Sequence, residues 1–156
     1  MDKYIGTKVI EAEPAIKKGK VVYGVNDPIP KTMEQVEEGY RVRYEDGYVS
    51  WSPKNVFEKA YMKIIPNHNL KTSISISQEM VDGFIKKVKC TTLGNKTTLV
   101  TVVLVNGFEM IEASTCVDPD NYSEEIGKEI CLDRIKNRIW EFLGFMLQTG
   151  VNGIKF

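Results

Sequence analysis

Histidine is nearly missing from this chain: His68 is the single one in 156 residues. It lies beside Pro66, Asn67 and Asn69, far in sequence from any other candidate catalytic group, so general acid–base chemistry by histidine has no evident seat. Cysteine is scarce as well, and Cys90, Cys116 and Cys131 stand far apart. With no Cys-x-x-Cys pair there is no common zinc framework, and three reduced, half-buried thiols in a cytosolic protein is the expected state. Net charge is absent, since 21 Lys plus Arg balance 21 Asp plus Glu. That balance argues against bulk nucleic-acid binding, which needs a basic excess to displace counterions, but it leaves room for a local pocket for one small anion. No apolar run approaches the ~20 residues needed to cross a bilayer, and Met1-Asp2-Lys3-Tyr4-Ile5 opens without a signal-peptide core. Glycine-rich nucleotide loops, a phosphate-loop lysine and a Ser or Cys beside a base are missing too. Asp118 and Asp120 flank Pro119 as helix-capping groups rather than ion ligands. The expectation is a protein that holds a ligand rather than transforms one, with no catalytic residue, no metal and no cofactor.

Apolar residues at 42% and charged residues at 27% describe an ordinary globular chain. Composition shifts at Ile64-Ile65-Pro66-Asn67-His68-Asn69-Leu70, where Pro66 and its polar neighbours suit a linker. Two domains are expected, 1–65 and 70–156. In the first, Tyr4 to Pro14 reads as a strand, followed by a polar stretch to about residue 38. Tyr40, Val42 and Tyr44 alternate onto one face. Asp46-Gly47 signals a two-residue hairpin turn, because both positions tolerate positive φ. Tyr48 to Trp51 returns as the partner strand, and Ser52-Pro53 caps a short helix from Lys54 to Tyr61. Trp51, Phe57 and Tyr61 would close its small core, with ligand stacking on Trp51 as the other use of that ring.

In the second domain Ser77 to Val81 reads as a capped helical turn. Phe84–Thr92, Thr97–Val105 and Phe108–Val117 form a three-strand meander, with Asn106-Gly107 as a second two-residue hairpin signal. Apolar positions from Ile126 to Met146 recur at three and four, the helical spacing. A helix from about 121 to 148 would run ~40 Å, longer than a three-stranded sheet of this size covers. Its overhang needs another surface, and a second copy of the chain is the simplest one. The fold class is α+β: a small N-terminal hairpin-plus-helix module, then a three-stranded antiparallel sheet with one long C-terminal helix.

Asn106-Gly107-Phe108, Glu112-Ala113-Ser114, Cys116-Val117-Asp118-Pro119, Asn121-Tyr122, Glu124-Glu125-Ile126-Gly127 and Trp140-Glu141-x-x-Gly144 resemble the bacteriophage N4 gp49/Sf6 gene 66 family over about Ser77 to Gly150. Gly39-Tyr40, Asp46-Gly47-Tyr48 and Trp51-Ser52-Pro53 separately resemble a small phage accessory module. The first resemblance implies kinship with Thoeris anti-defence proteins of the first type. Those are sponges that capture, without hydrolysis, the cyclic ADP-ribose isomer made by a bacterial TIR-domain immune enzyme, and some take up cyclic oligonucleotides. They act in the host cell cytoplasm as symmetric homo-oligomers, dimer-based or hexameric, with pockets between protomers. The rival class is a non-enzymatic structural or interaction module that engages a host protein through the overhanging helix.

Such a ligand presents flat bases, ribose hydroxyls and a pyrophosphate, so a binder needs a ring or guanidinium plane, amides and fixed cations. Phe108 follows a hairpin turn, where its ring can project from the sheet end or cap the core. Asn121 stands at the expected helix start, as a ligand amide or as the N-cap. Arg134 and Arg138 share a helix face, as anion ligands or as a solvated face with Asp133 and Glu141. Lys86 is a phosphate candidate from the Lys86, Lys87, Lys89 cluster, which also serves as an edge-strand guard. Asn121 and Arg138 are too far apart for one pocket in one chain, so an interface pocket between two protomers is expected.

Overall fold

Two glycine turns of the same construction set the two halves of the chain. Gly47 donates to the Tyr44 carbonyl at 2.9 Å, Tyr44 donates to the Tyr48 carbonyl at 2.9 Å, and Gly47 has φ +83°. Gly107 repeats this with the Leu104 carbonyl at 2.9 Å and φ +85°, while Leu104 donates to the Phe108 carbonyl at 2.8 Å. Each loop therefore has three residues, a turn closed by one left-handed glycine, not the two-residue turn expected from Asp-Gly and Asn-Gly. The reason lies in Asp46 and Asn106. No non-glycine residue has positive φ. Instead the Asp46 carboxylate accepts from the Tyr48 N–H at 3.0 Å, and the Asn106 amide oxygen from the Phe108 N–H at 3.0 Å.

The computed structural model describes residues 1–156, and the chain forms two compact units, Met1–Lys63 and Ile64–Phe156. In the first, β1 (Glu11–Lys18), β2 (Val21–Gly24), β3 (Val36–Arg43) and β4 (Val49–Pro53) form an antiparallel sheet in the order β2-β1-β3-β4, followed by α1 (Lys54–Ala60). The module is thus a four-stranded sheet plus helix, not a lone hairpin plus helix. Tyr4 and Ile5 lie outside it, exposed, and β1 starts at Glu11. The stretch read as merely polar carries the end of β1, all of β2 and the first three residues of β3. Ser52 does not cap α1; Pro53 occupies the cap position, with no side-chain bond.

Register separates the aromatics that the sequence grouped together. Tyr40 pairs with Ser52 and Arg41 with Trp51, so Tyr40 and Trp51 face opposite sides of the sheet. Tyr40 stacks on Phe57 at 4.0 Å between centroids, and Phe57 on Tyr61 at 4.9 Å. Trp51 lies on the other face, across Gly39, where an added Cβ would sit 2.9 Å from the indole. Lys17 covers the ring at 4.8 Å. Gly39 lets the indole lie close against β3, and the Lys17 ammonium sits by the ring, so Trp51 packs on the sheet face opposite Tyr40.

In the second unit Ser77 caps α2 (Gln78–Gly83), and β5 (Ile85–Leu93), β6 (Thr97–Leu104) and β7 (Glu109–Thr115) form the meander. Helix α3 runs Glu124–Asn152. β6 alternates strictly: Thr98, Val100, Val102 and Leu104 are buried, while the residues between them are half-buried. Gly127, Cys131, Ile135, Ile139 and Leu143, each four residues apart, form the buried ridge of α3. With Met80, Val81 and Met110 they complete a core whose fully buried aliphatic side chains contribute ~1.5–3 kcal/mol each.

The helix approaches the sheet closely at Gly127, where an added Cβ would lie 2.6 Å from Thr98 Cβ. Tyr122 secures the same corner, its hydroxyl within 2.8 Å of Thr92 Oγ1 and 3.0 Å of Thr98 Oγ1. At the far end α3 outruns its support. Leu143 is its last buried residue, whereas Phe145 is 77% exposed and Met146 and Val151 are also open. Gly127→Ala is expected to destabilise the unit by ~1–3 kcal/mol through overpacking, read as a lower denaturant midpoint. An unchanged midpoint would mean the helix lifts off at no cost.

Candidate functional site

The flank of α3 next to its buried ridge presents Arg134, Arg138, Phe142 and Met146, again four apart. Because α3 runs antiparallel to the edge strand β7, each of the first three meets a successive point on that strand and its hairpin. Arg134 donates to the Ala113 carbonyl at 3.0 Å. Arg138 reaches Glu112 Oε1 at 3.4 Å. Phe142 meets Phe108 edge-on, with centroids 5.9 Å apart and planes at 83°. The result is a helix flank with two guanidiniums at one end and two exposed rings at the other, Phe108 being 52% and Phe142 40% exposed.

Its electrostatics are uneven. Arg138 is partly neutralised by the Glu112 carboxylate, which is itself half-buried. Arg134 touches only a carbonyl dipole, so its full charge and remaining donors face outward. Neither arginine forms an ion pair with Asp133 or Glu141, the partners expected on a solvated face. Both turn toward β7 instead.

Asn121 and Lys86 stand apart from this cluster. Asn121 closes the 3₁₀ turn Pro119–Asn121, itself capped by Asp118, and α3 begins only at Glu124 with Ser123 as N-cap, its Oγ accepting from Ile126 N–H at 3.3 Å. Asn121 is therefore not the helix cap, because the Asp-Pro step makes a separate short turn and leaves that role to Ser123. From the helix start Arg138 is about 21 Å along the axis. Lys86 lies on β5, the opposite edge from β7, at the register shift between Ile85 and Lys87. Within one chain the structure sets Arg134, Arg138 and, through Phe142, Phe108 along one flank of α3 spanning about 12 Å, and leaves Asn121 and Lys86 outside.

Sequence reasoning missed Phe142 and Phe145 as site residues and Glu112 as the partner of Arg138. The signal for Phe142 was present: it falls four residues after Arg138. Burial raises the thiol pKa of Cys90 and Cys131, so both stay protonated at neutral pH. Along the other flank of α3, Lys136 pairs with Asp82 of α2 at 2.8 Å and holds the Asp82 carboxyl below its ordinary range.

A helix laid on a three-stranded meander, with cations and rings along one open flank, defines a small α+β domain, and no helix of the chain is long and apolar enough to cross a membrane. Residues 76–151, from α2 through nearly all of α3, match the family described as phage protein (N4 Gp49/phage Sf6 gene 66), and this segment belongs to that family of phage proteins. Neither a curated protein nor a solved structure matches the chain.

The Asp82–Lys136 pair gives a pH signature. A depressed carboxyl pKa stabilises the fold above the unfolded value of about 3.9, and that contribution is lost as pH falls through the folded value. Both side chains are substantially exposed, so Asp82→Asn should cost no more than ~1 kcal/mol at pH 7. The cost should shrink as pH falls below the unfolded value of about 3.9 and vanish once it has passed the lower folded value. A series of urea titrations from pH 7 into acid tests this, and an equal loss throughout would assign the effect elsewhere.

Proposed function

We propose that the carboxy-terminal unit is a non-enzymatic phage binder that sequesters a small anionic cyclic nucleotide in the host cytoplasm. By its resemblance to the Thoeris anti-defence proteins, that ligand is glycocyclic ADP-ribose or a cyclic oligonucleotide, and capture blocks the immunity it signals. The observation that carries this reading is the α3–β7 ladder. Arg134 offers an uncompensated guanidinium to phosphate, and the Phe108–Phe142 pair offers a ring surface to a base about two helical turns away. The two groups match the charged and flat parts of one nucleotide.

Half of the pocket belongs to a neighbour in this reading. Phe142, Phe145 and Met146 lie exposed where α3 leaves the sheet, and a second copy covers them. The same neighbour supplies the amide and cation that one chain keeps distant, Asn121 and Lys86. A second reading, docking of a host protein on those apolar residues, draws on the same exposure.

The test mixes purified protein with glycocyclic ADP-ribose or cyclic trinucleotides, then heats the complex to release what was held. Unaltered nucleotide returning from the protein supports a sponge. Altered product would mean an enzyme, and ligand free throughout would favour the host-protein reading. Arg138→Ala should weaken capture by ~1.5–3 kcal/mol, and Glu112→Gln, which frees the guanidinium, should strengthen it. In light scattering Phe145→Glu should lower the mass of the assembly, and a wild-type chain that is monomeric at micromolar concentration would remove the shared pocket.

A further inference from the structure

Both helices of the second unit pack on one face of its sheet, the face of Val100, Val102 and Leu104. The opposite face carries no helix, and the register orders its side chains in rows. Lys87, Val103 and Glu109 lie in one row, and Lys89, Thr101 and Ile111 in the next. Leu99 continues the centre line on β6. Ile111 is 59% exposed on this face, which it shares with Val103, Leu99 and Leu93, so the outer face is a mixed apolar and charged surface left in solvent. Lys87, Lys89 and Glu109 take part in none of the ion pairs of the chain.

We infer that a second copy of the chain stacks on this face, sheet against sheet, about a two-fold axis along β6. The charge pattern selects that occupant. A two-fold along the central strand lays β5 of one copy over β7 of the other while preserving height along the strands. Lys87 and Glu109 share one height, so each lysine meets the glutamate of the partner, and the pairing occurs twice. Val103, Thr101 and Leu99 meet their own copies on the axis, and the Lys89 stem covers Ile111 of the partner. Stacked sheets rotate by about 30°, which displaces the edge rows by roughly 2–3 Å, within the reach of a lysine stem. An unrelated protein would need to reproduce this two-fold charge pattern; the same chain carries it already.

The face is three strands wide, about 14 Å, so it falls below a standard interface and gives a weak, concentration-dependent contact. It is separate from the α3 overhang, and the two are told apart by working in full-length Phe145→Glu protein, where the helical contact is removed. Sedimentation velocity from about 1 to 300 µM should still show a monomer–dimer equilibrium in that background, at concentrations expected of a small interface. Lys87→Glu and Glu109→Lys should each raise the dimer Kd ~10-fold or more, because like charges then face each other. The double variant Lys87→Glu/Glu109→Lys should return to within ~3-fold of the parent, since the swapped pair again meets its opposite. All three substituted positions are exposed, and circular dichroism confirms that each variant is folded. A Phe145→Glu chain that stays monomeric throughout, single swaps without effect, or a double swap that fails to recover would each overturn the stacking, and Lys87 would then be an edge guard only.

Discussion

The close approach of α3 to β6 at Gly127 and Thr98 governs the rest of the second unit. A residue without a side chain lets the helix axis drop onto the sheet at its first turn, and the Tyr122 hydroxyl closes that corner through Thr92 and Thr98. Once the first turn is fixed, the azimuth of a 29-residue helix is fixed as well. The ridge from Cys131 to Leu143 faces the core, and the adjacent ridge from Arg134 to Met146 must run along the β7 edge. The rings and guanidiniums thus owe their alignment to a glycine nearly the whole site-length away. This is how a small domain positions a flank without dedicated loops.

Much of this unit was legible in the sequence because its signals are periodic and locally consistent. β-branched density marked β6, spacing of three and four marked α3, and helix length against sheet length foretold an exposed carboxy-terminal turn, where Phe145 now stands. What escaped were features decided by single residues. Asp-Gly and Asn-Gly announced hairpins but not loop length, since Asp46 and Asn106 prefer to accept a hydrogen bond two residues on rather than adopt positive φ. Trp51 was placed on the wrong side because one residue of register reverses a face, and its pairing with Arg41 is a long-range fact. Asn121 lost the cap to Ser123 because Asp118 and Pro119 build a separate turn first. The candidate site was half legible: Arg134, Arg138 and Phe108 fall along one flank of α3, while Asn121 and Lys86 do not.

The arginines illustrate why spacing identifies a shared face but not its chemistry. Four residues apart, they were bound to point the same way, yet their environments differ. Arg138 meets a carboxylate whose position on β7 faces the core, so that charge is half-neutralised in place. Arg134 meets only a backbone carbonyl of the same strand. A carbonyl orients a guanidinium without discharging it, and a guanidinium held in place loses less freedom when an anion arrives. Orientation and charge are thereby divided between neighbouring residues of one ladder.

The first unit covers part of each sheet face with its own side chains, Phe57 and Tyr61 beside Tyr40 on one and Lys17 with Trp51 on the other, while Val21, Val25, Val36 and Val49 stay exposed. Two of its ion pairs cross between neighbouring strands of the sheet, Glu11 with Arg43 and Glu13 with Arg41. The second unit leaves open a helix end, a guanidinium and an outer sheet face with unpaired lysines and a glutamate. Apolar area left in water costs about 25 cal/mol per Å² relative to burial. A small domain that holds Phe145, Ile111 and Phe142 in solvent therefore forgoes several kcal/mol that burial of those side chains would contribute. A second copy of the chain, as proposed above, would recover that energy on both surfaces while leaving the fold of each protomer unchanged.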